Sequence, residues 1–224
     1  MTFIWIILLM ILSYFLGSIP SGLVIGKVFK NIDIRHYGSK NTGATNAIRV
    51  LGFKYGIFAF LFDMLKGALV ILLVFIIGDQ SLYIVGKHAI NLSSIYGMAA
   101  VLGHVWPIYI HFKGGKAVAT SFGMIMAIEP LAAIGALIIF LVIFRWKRIV
   151  SIGSITAASS ALIFFVIRVF IEHATFNLAT RLMDLFIVSL LGLIIFIRHK
   201  ANYKRLKMGT EYQFPASKKG QQKK

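Results

Sequence analysis

The run Ala117-Val118-Ala119-Thr120-Ser121-Phe122-Gly123-Met124-Ile125-Met126-Ala127-Ile128-Glu129-Pro130, continuing through Leu131 to Phe144, decides how this chain is threaded. It reads either as one long kinked helix or as two short segments parted at Glu129-Pro130. Lys113 and Lys116 stand before it, and Arg145, Lys147 and Arg148 follow it. A single span would send these two basic clusters to opposite faces of a bilayer. Two segments return both clusters to one face, together with the basic end of the chain. Lys and Arg accumulate in the cytoplasmic loops of membrane proteins, so their distribution decides between the two. With two segments, one face holds 20 of the 24 basic residues. The other holds only Lys87, Arg168 and Arg181, and Lys66 falls within a span. The two-segment reading wins.

Working outward, the composition fits a membrane protein. The 224 residues are 58% hydrophobic and 14% charged, against about 25% charged for an average soluble domain. The net charge of +17 would suit nucleic acid, but repeated apolar runs of bilayer length exclude a soluble basic binder, and no nucleic-acid partner is expected. With no cysteine, disulfides, thiolate catalysis and cysteine-held metals are excluded. Phe3 to Ile25 has no basic residue before it and no small-residue cleavage site, so it reads as a retained span. Gly17-Ser18-Ile19-Pro20-Ser21-Gly22 would loosen or kink that span near its far end. Further spans are read at Tyr55 to Ile77, Leu92 to Phe112, Ile152 to Phe170 and Leu182 to Ile197, with a polar loop at Gly78 to Asn91. The expectation is an all-α integral membrane protein with seven membrane-embedded helices, N-terminus outside and C-terminus cytoplasmic. Residues 1–206 form one polytopic membrane domain with cytoplasmic loops, and 207–224 a basic tail with a disordered end. The segment 117–128 would be about 18 Å long as a helix, short of the ~30 Å hydrocarbon core. It is tolerable if other helices surround it.

On this threading, most of the candidate chemistry falls on one face. Gly38-Ser39-Lys40-Asn41-Thr42-Gly43-Ala44-Thr45-Asn46-Ala47-Ile48-Arg49 is the longest small and polar run, and it offers amides, hydroxyls and positive charge to a phosphate. Its Gly38-x4-Gly43-Ala44-Thr45 spacing mimics a nucleotide-binding P-loop, but Ala44 stands where that motif needs lysine and no strand precedes it. Lys113-Gly114-Gly115-Lys116 opens a second helix, so glycine amides, the helix dipole and two ammonium groups are expected to converge there. His104 lies about two turns earlier and reads either as a packed histidine or as a catalytic one. Asp63 and Lys66, three residues apart within a span, read as a structural ion pair. Ser151 and Ser154 begin a helix after the 145–148 cluster and could be caps. Arg198-His199-Lys200-Ala201-Asn202-Tyr203-Lys204-Arg205 flanks the last span as an anchor to anionic lipid would, which leaves Asn202 unexplained.

Taken together, these motifs resemble the bacterial acyl-phosphate:glycerol-3-phosphate acyltransferases, the PlsY family. The resemblance is carried by the 38–49 run, Asp63-x-x-Lys66-Gly67, Gly103-His104-x-x-Pro107, Phe112-Lys113-Gly114-Gly115-Lys116-x-Val118-Ala119-Thr120 and Arg198-His199-x-x-Asn202-x-x-Arg205. It runs from the first span to about Glu211. Lys40 departs from it, because the family more often has Gly-Ser-Gly-Asn there. The resemblance implies transfer of a fatty acyl group from acyl phosphate to the 1-hydroxyl of sn-glycerol 3-phosphate, giving lysophosphatidic acid and phosphate, at the cytoplasmic face of the bacterial cell membrane. The implied partners are those two substrates, membrane lipid and, by functional coupling, the enzyme that makes acyl phosphate. By the same resemblance Ser39, Asn41, Gly43, Thr45 and Asn46, with Gly38, would cradle the leaving phosphate. Arg49, Lys116, Ser154 and Asn202 would hold glycerol 3-phosphate, supported by Lys113, His104, Gly114, Gly115 and His199. The catalytic candidates are Ser39, Arg49, His104 and Lys116.

No cofactor or metal is expected, since Asp33 and Glu211 are the only acids in the cytoplasmic segments and too few for a Mg²⁺ site built of carboxylates. No histidine precedes an aspartate by five positions, so the His-x4-Asp acyltransferase arrangement is absent. A substrate phosphate would then take the hydroxyl proton, with His104 as the competing base. The other class of reading is a membrane transporter for phosphate or organophosphate, favoured by the short broken segment. Against it, the candidates cluster at one face rather than at the midplane.

Overall fold

The computed structural model describes residues 3–77, 82–85, 88–172 and 178–214. The first apolar run is two helices, α1 (Phe3–Gly17) and α2 (Ser21–Lys30), bent by 43° at the connection between them. The small and Pro-containing residues there break the helical ladder where a kinked single span was expected. The carbonyl freed at Ile19 accepts from Lys66 Nζ at 2.8 Å, so the break carries its own internal partner, as a membrane interior requires.

Next come α3 (Ala44–Leu51), a short helix, and α4 (Phe53–Ile77). The segment expected as a plain polar loop contains an antiparallel hairpin, β1 (Leu82–Val85) with β2 (His88–Asn91). It is the plain-loop expectation that this ladder corrects, since Leu82-Tyr83-Ile84-Val85 is a β-branched and aromatic run suited to a strand; the other regular elements among the described residues are helical, as an all-α membrane protein requires. Helices account for nearly all the rest: α5 (Ser93–Val105), α6 (Val118–Ile128), α7 (Pro130–Lys147), α8 (Val150–Glu172), α9 (Leu178–Arg198) and α10 (Lys200–Lys207). The expected third span is helical only as far as Val105, because Pro107 interrupts it and a 3-10 turn, Ile108–Ile110, follows.

The break at Glu129-Pro130 is where the charge pattern put it. Pro130 starts α7 at its first position, where its missing N–H costs nothing, and Glu129 Oε1 and Oε2 face Arg168 and Arg181 at 3.4 Å each. Among the described residues, α4, α7, α8 and α9 are long and apolar enough to cross a bilayer, and α1 with α2 makes a fifth span if counted as one. At 13 and 11 residues, α5 and α6 are shorter. Helix α6 survives by enclosure. It crosses α4 so closely that a Cβ on Gly67 would meet the carbonyl of Thr120, and one on Gly123 that of Met64. Its Met124 joins Tyr96 and Val101 of α5, Val70 and Val74 of α4 and Leu191 of α9 in the main core. By contrast Ile134, Ile138 and Leu141 of α7 are exposed, an outward apolar face suited to lipid.

Candidate active site

The polar ends of these helices meet around a cavity of about 620 Å³. Ser39, Asn41, Gly43, Thr45, Asn46 and Arg49 line it from the first loop and α3, and His104 and Lys116 from α5 and the turn before α6. Ser154 lines it from α8, His199 from the junction of α9 and α10, and Asn202 from α10. Lys116 and the start of α8 therefore face one space, as the two-segment threading requires. The cavity continues between α4, α6 and α7 along Phe60, Phe122, Leu137 and Phe140, so one end is cationic and the other apolar.

Asn46 is the organiser of the first loop rather than a free donor. Its buried amide nitrogen donates to the carbonyls of Ile34 (2.9 Å), Tyr37 (3.2 Å) and Asn41 (2.9 Å), and its oxygen accepts from the amide of Ser39 at 2.9 Å. Asn41 Oδ1 accepts from the amide of Gly43 at 2.9 Å. Asn46 and Gly43 both line the cavity, but the Asn46 side chain and the Gly43 amide are engaged inside the loop. The opening turn of α3, where backbone N–H groups have no partner within the helix, and the hydroxyls of Ser39 and Thr45 remain to face an anion. Lys40, at the position where the family more often has glycine, sits at φ +59°, a left-handed conformation that glycine adopts without strain.

The Lys113-Gly114-Gly115-Lys116 turn also departs from expectation. The amide of Gly114 donates to the carbonyl of Val105 (3.2 Å) and that of Gly115 to the carbonyl of His104 (3.0 Å), which ties the turn to the end of α5. Arg198 clamps the other side, donating to the carbonyls of Gly115 (3.1 Å) and Gly114 (2.8 Å). Neither glycine amide reaches the cavity. Lys113 is exposed and lies outside it, as does Gly38, whose carbonyl instead accepts from Tyr212 Oη at 3.2 Å. The reason for Gly115 is steric, since a Cβ there would run into Nε2 of His104.

Lys116 is thus presented alone, and its ammonium donates to Asn202 Oδ1. Burial lowers its pKa to about 8; Arg205, Arg49 and Arg198 push the same way and Glu211 opposes them. Asn202 Nδ2 donates to Glu211 Oε1 at 2.6 Å, Ser151 Oγ donates to the same oxygen at 2.9 Å, and Arg205 Nε donates to Oε2 at 2.7 Å. Burial raises Glu211, but these donors outweigh it and hold the carboxyl below its ordinary range. Arg49 is lowered by burial and lies 4.3 Å from the Tyr212 ring centre. Burial foremost, then the Lys116 charge, push His199 down to about 4. Its Nδ1 is 2.7 Å from the Ile195 carbonyl, so the proton sits on Nδ1 and Nε2 is left as the acceptor.

In the cavity wall, Asp63 Oδ1 accepts from Lys66 Nζ at 2.8 Å and faces His104 Nδ1 at 3.5 Å. The expected Asp63–Lys66 pair is present, and it extends to the histidine. Arg205, Glu211 and Tyr212 are cavity residues that the candidate set left out. For Arg205 the signal was its position three residues beyond Asn202 on a helix face. For Glu211 and Tyr212 no local signal existed. Among the described residues, no group of three His, Cys, Asp or Glu side chains could hold a metal ion.

Fold and cavity together define a membrane-integral protein whose cavity is cationic at one end and apolar at the other. Residues 7–209 match the family model described as glycerol-3-phosphate acyltransferase. Among the relatives are the glycerol-3-phosphate acyltransferases of Acholeplasma laidlawii, 42% identical over 94% of each chain, and of Aquifex aeolicus, 40% identical over 92% of this chain and 97% of that one. Among solved structures, a crystal structure of PlsY, an integral membrane glycerol 3-phosphate acyltransferase, in its glycerol 3-phosphate form superposes with a TM-score of 0.79 at 38% identity, covering 93% of this chain and 95% of that one. Its lysophosphatidic acid form gives 0.76. The chain belongs to the glycerol-3-phosphate acyltransferase family. It is an acyltransferase.

Proposed function

We propose that this protein transfers a fatty acyl group from acyl phosphate to the 1-hydroxyl of sn-glycerol 3-phosphate, the first step of phospholipid synthesis. The observation that supports this most directly is a single cavity with two anion-holding walls and an apolar continuation. The α3 wall, with Ser39, Asn41 and Thr45, receives the phosphate of the acyl donor. The opposite wall, with Arg49, Lys116, Ser154, Asn202 and Arg205, receives the phosphate of the acceptor. The acyl chain lies in the space between α4, α6 and α7. Neutral His199 offers Nε2 to an acceptor hydroxyl.

In the reaction the 1-hydroxyl oxygen attacks the acyl carbonyl carbon. The tetrahedral intermediate collapses by breaking the bond from that carbon to the bridging oxygen, and phosphate leaves. The hydroxyl proton passes to a substrate phosphate. Acyl phosphate is an activated mixed anhydride, so orientation and charge stabilisation carry most of the task. His104, held against Asp63 and packed on Gly115, positions the Gly115-Lys116 turn. The membrane arrangement that fits is seven embedded helices, counting short α5 and α6, with the N-terminus outside and the cavity opening to the cytoplasm of a bacterial cell. Lys113 and Lys116 then share the inner face with Arg145 to Arg148.

The test is direct. Purified protein in detergent, given acyl phosphate and glycerol 3-phosphate, should release phosphate and form 1-acyl-glycerol 3-phosphate, and folded protein that forms neither refutes the proposal. A pH–rate profile of His104→Ala separates the bases. Loss of all turnover with both substrates still bound would make His104 the base.

A further inference from the structure

We propose that Thr210–Phe214 is a displaceable strap across the mouth of the cavity, and that in the empty site Glu211 occupies the position of the acceptor's phosphate. This rests on the assignment of the Lys116–Asn202 wall to glycerol 3-phosphate.

The strap begins just past Gly209, which ends α10 at φ +66° and so can act as a pivot that a side chain would stiffen. It also begins where the family match stops, at residue 209. Thr210, whose amide donates to the Arg205 carbonyl at 2.8 Å, and contacts of Tyr212 and Phe214 hold it. Tyr212 lies over Arg49 and reaches the Gly38 carbonyl, the Phe214 amide donates to the Arg148 carbonyl at 2.9 Å, and the Phe214 ring meets Phe144 edge-on with centroids 6.1 Å apart. The backbone around these contacts is largely solvent-facing, because Gly209, Thr210, Tyr212 and Gln213 are exposed. A five-residue segment with so few apolar contacts belongs to the low-stability end of a structure.

Its one buried anchor is the Glu211 side chain, 5% exposed. The two carboxylate oxygens accept from Asn202, Ser151 and Arg205. Asn202 is also the partner of Lys116. These groups would otherwise surround two oxygens of a phosphate, and a carboxylate is the side chain closest to that in shape and charge. Phosphate and carboxylate repel, so the same donors cannot serve both at once. Acceptor entry therefore requires Glu211 to leave. The fraction of time the strap stands open then scales the apparent affinity. In this form the strap excludes water and stray anions from the cationic wall until the true acceptor competes for it.

The experiment uses the full-length purified protein, its Glu211→Gln and Tyr212→Ala variants, and a chain ending at Gly209. Two quantities are read: the dissociation constant of inorganic phosphate by calorimetry, and KM for glycerol 3-phosphate in the phosphate-release assay. Both constants should fall about three- to tenfold in all three altered proteins, as expected for a strap closed about 70–90% of the time. Unchanged constants would overturn the strap. A rise in both constants in Glu211→Gln and Tyr212→Ala would also overturn it, by making Glu211 a fixed positioning residue. Phosphate binding is read without turnover, so the two failures differ. Tighter phosphate binding with no product in any of the proteins would sink the acyl-transfer chemistry and leave the strap standing.

Discussion

Raising the pH through 8 should weaken acceptor binding through Lys116 alone. Burial and the guanidinium groups of Arg205, Arg49 and Arg198 bring its pKa to about 8, so for this cation the charged form is present below that value and lost above it. At pH 7 about nine-tenths of the molecules carry the ammonium and at pH 9 about one-tenth, which should raise KM for glycerol 3-phosphate roughly tenfold, or about 1.4 kcal/mol. The acceptor does not mask this limb, because a phosphate monoester has its second pKa near 6 and is largely the dianion above about pH 7, before Lys116 loses its charge. The assay is phosphate release at saturating acyl phosphate, with glycerol 3-phosphate varied at each pH between about 6 and 10, corrected for spontaneous donor hydrolysis. Lys116→Arg supplies the control, since guanidinium stays charged throughout this range, and its alkaline limb should vanish. Because Glu211 opposes the lowering at Lys116, Glu211→Gln should move the limb to lower pH. A wild-type KM that stays flat to the top of the range, or a limb that persists in Lys116→Arg, refutes the assignment.

Other substitutions test the geometry around that lysine. Gly115→Ala drives a methyl into the His104 ring and should cost about 1–3 kcal/mol of stability, with loss of kcat/KM; Gly135→Ala, which meets open space, should leave thermal unfolding unchanged, and equal effects would remove the steric role given to Gly115. Arg49→Ala should raise KM for glycerol 3-phosphate about 10- to 100-fold, the loss of charge-assisted hydrogen bonds, whereas exposed Lys40 should change it less than about twofold when made alanine. Similar effects would place the acceptor elsewhere. Lys66→Met takes the donor from the Ile19 carbonyl and the closest cation from buried Asp63 and should cost about 3–5 kcal/mol in thermal unfolding. Adding Asp63→Asn should recover part of that loss, and a double variant no better than the single one would argue against the pair.

Much of the fold was legible because membrane solvation is a strong and local constraint. Apolar runs show by length, and the placement of Arg145, Lys147 and Arg148 against Lys113 and Lys116 was enough to break the chain at Glu129-Pro130. The strand signal at Leu82–Val85 was equally local, but a polar surrounding drew it into a loop. The site was legible as a set of groups but not as a set of directions. Eleven of the fifteen candidate residues line the cavity. Gly38, Lys113, Gly114 and Gly115 do not. Hydrogen-bond capacity is visible in a residue's type, while its use depends on neighbours that a spacing rule does not see.

Sequence by itself determined that this is a helical membrane protein with a cationic face, that its 38–49 run is suited to an anion, and that Asp63 needs Lys66. Each of these follows from composition or from contacts within a turn or two. Only the tertiary structure decided that the Gly114 and Gly115 amides bind α5 carbonyls under the clamp of Arg198, that Asn46 holds its own loop together, and that Glu211 reaches Asn202, Ser151 and Arg205. The physical reason is that a buried donor takes whichever acceptor packing brings within about 3 Å. For Lys116 that acceptor lies 86 residues away, a pairing set by how α6, α9 and α10 meet.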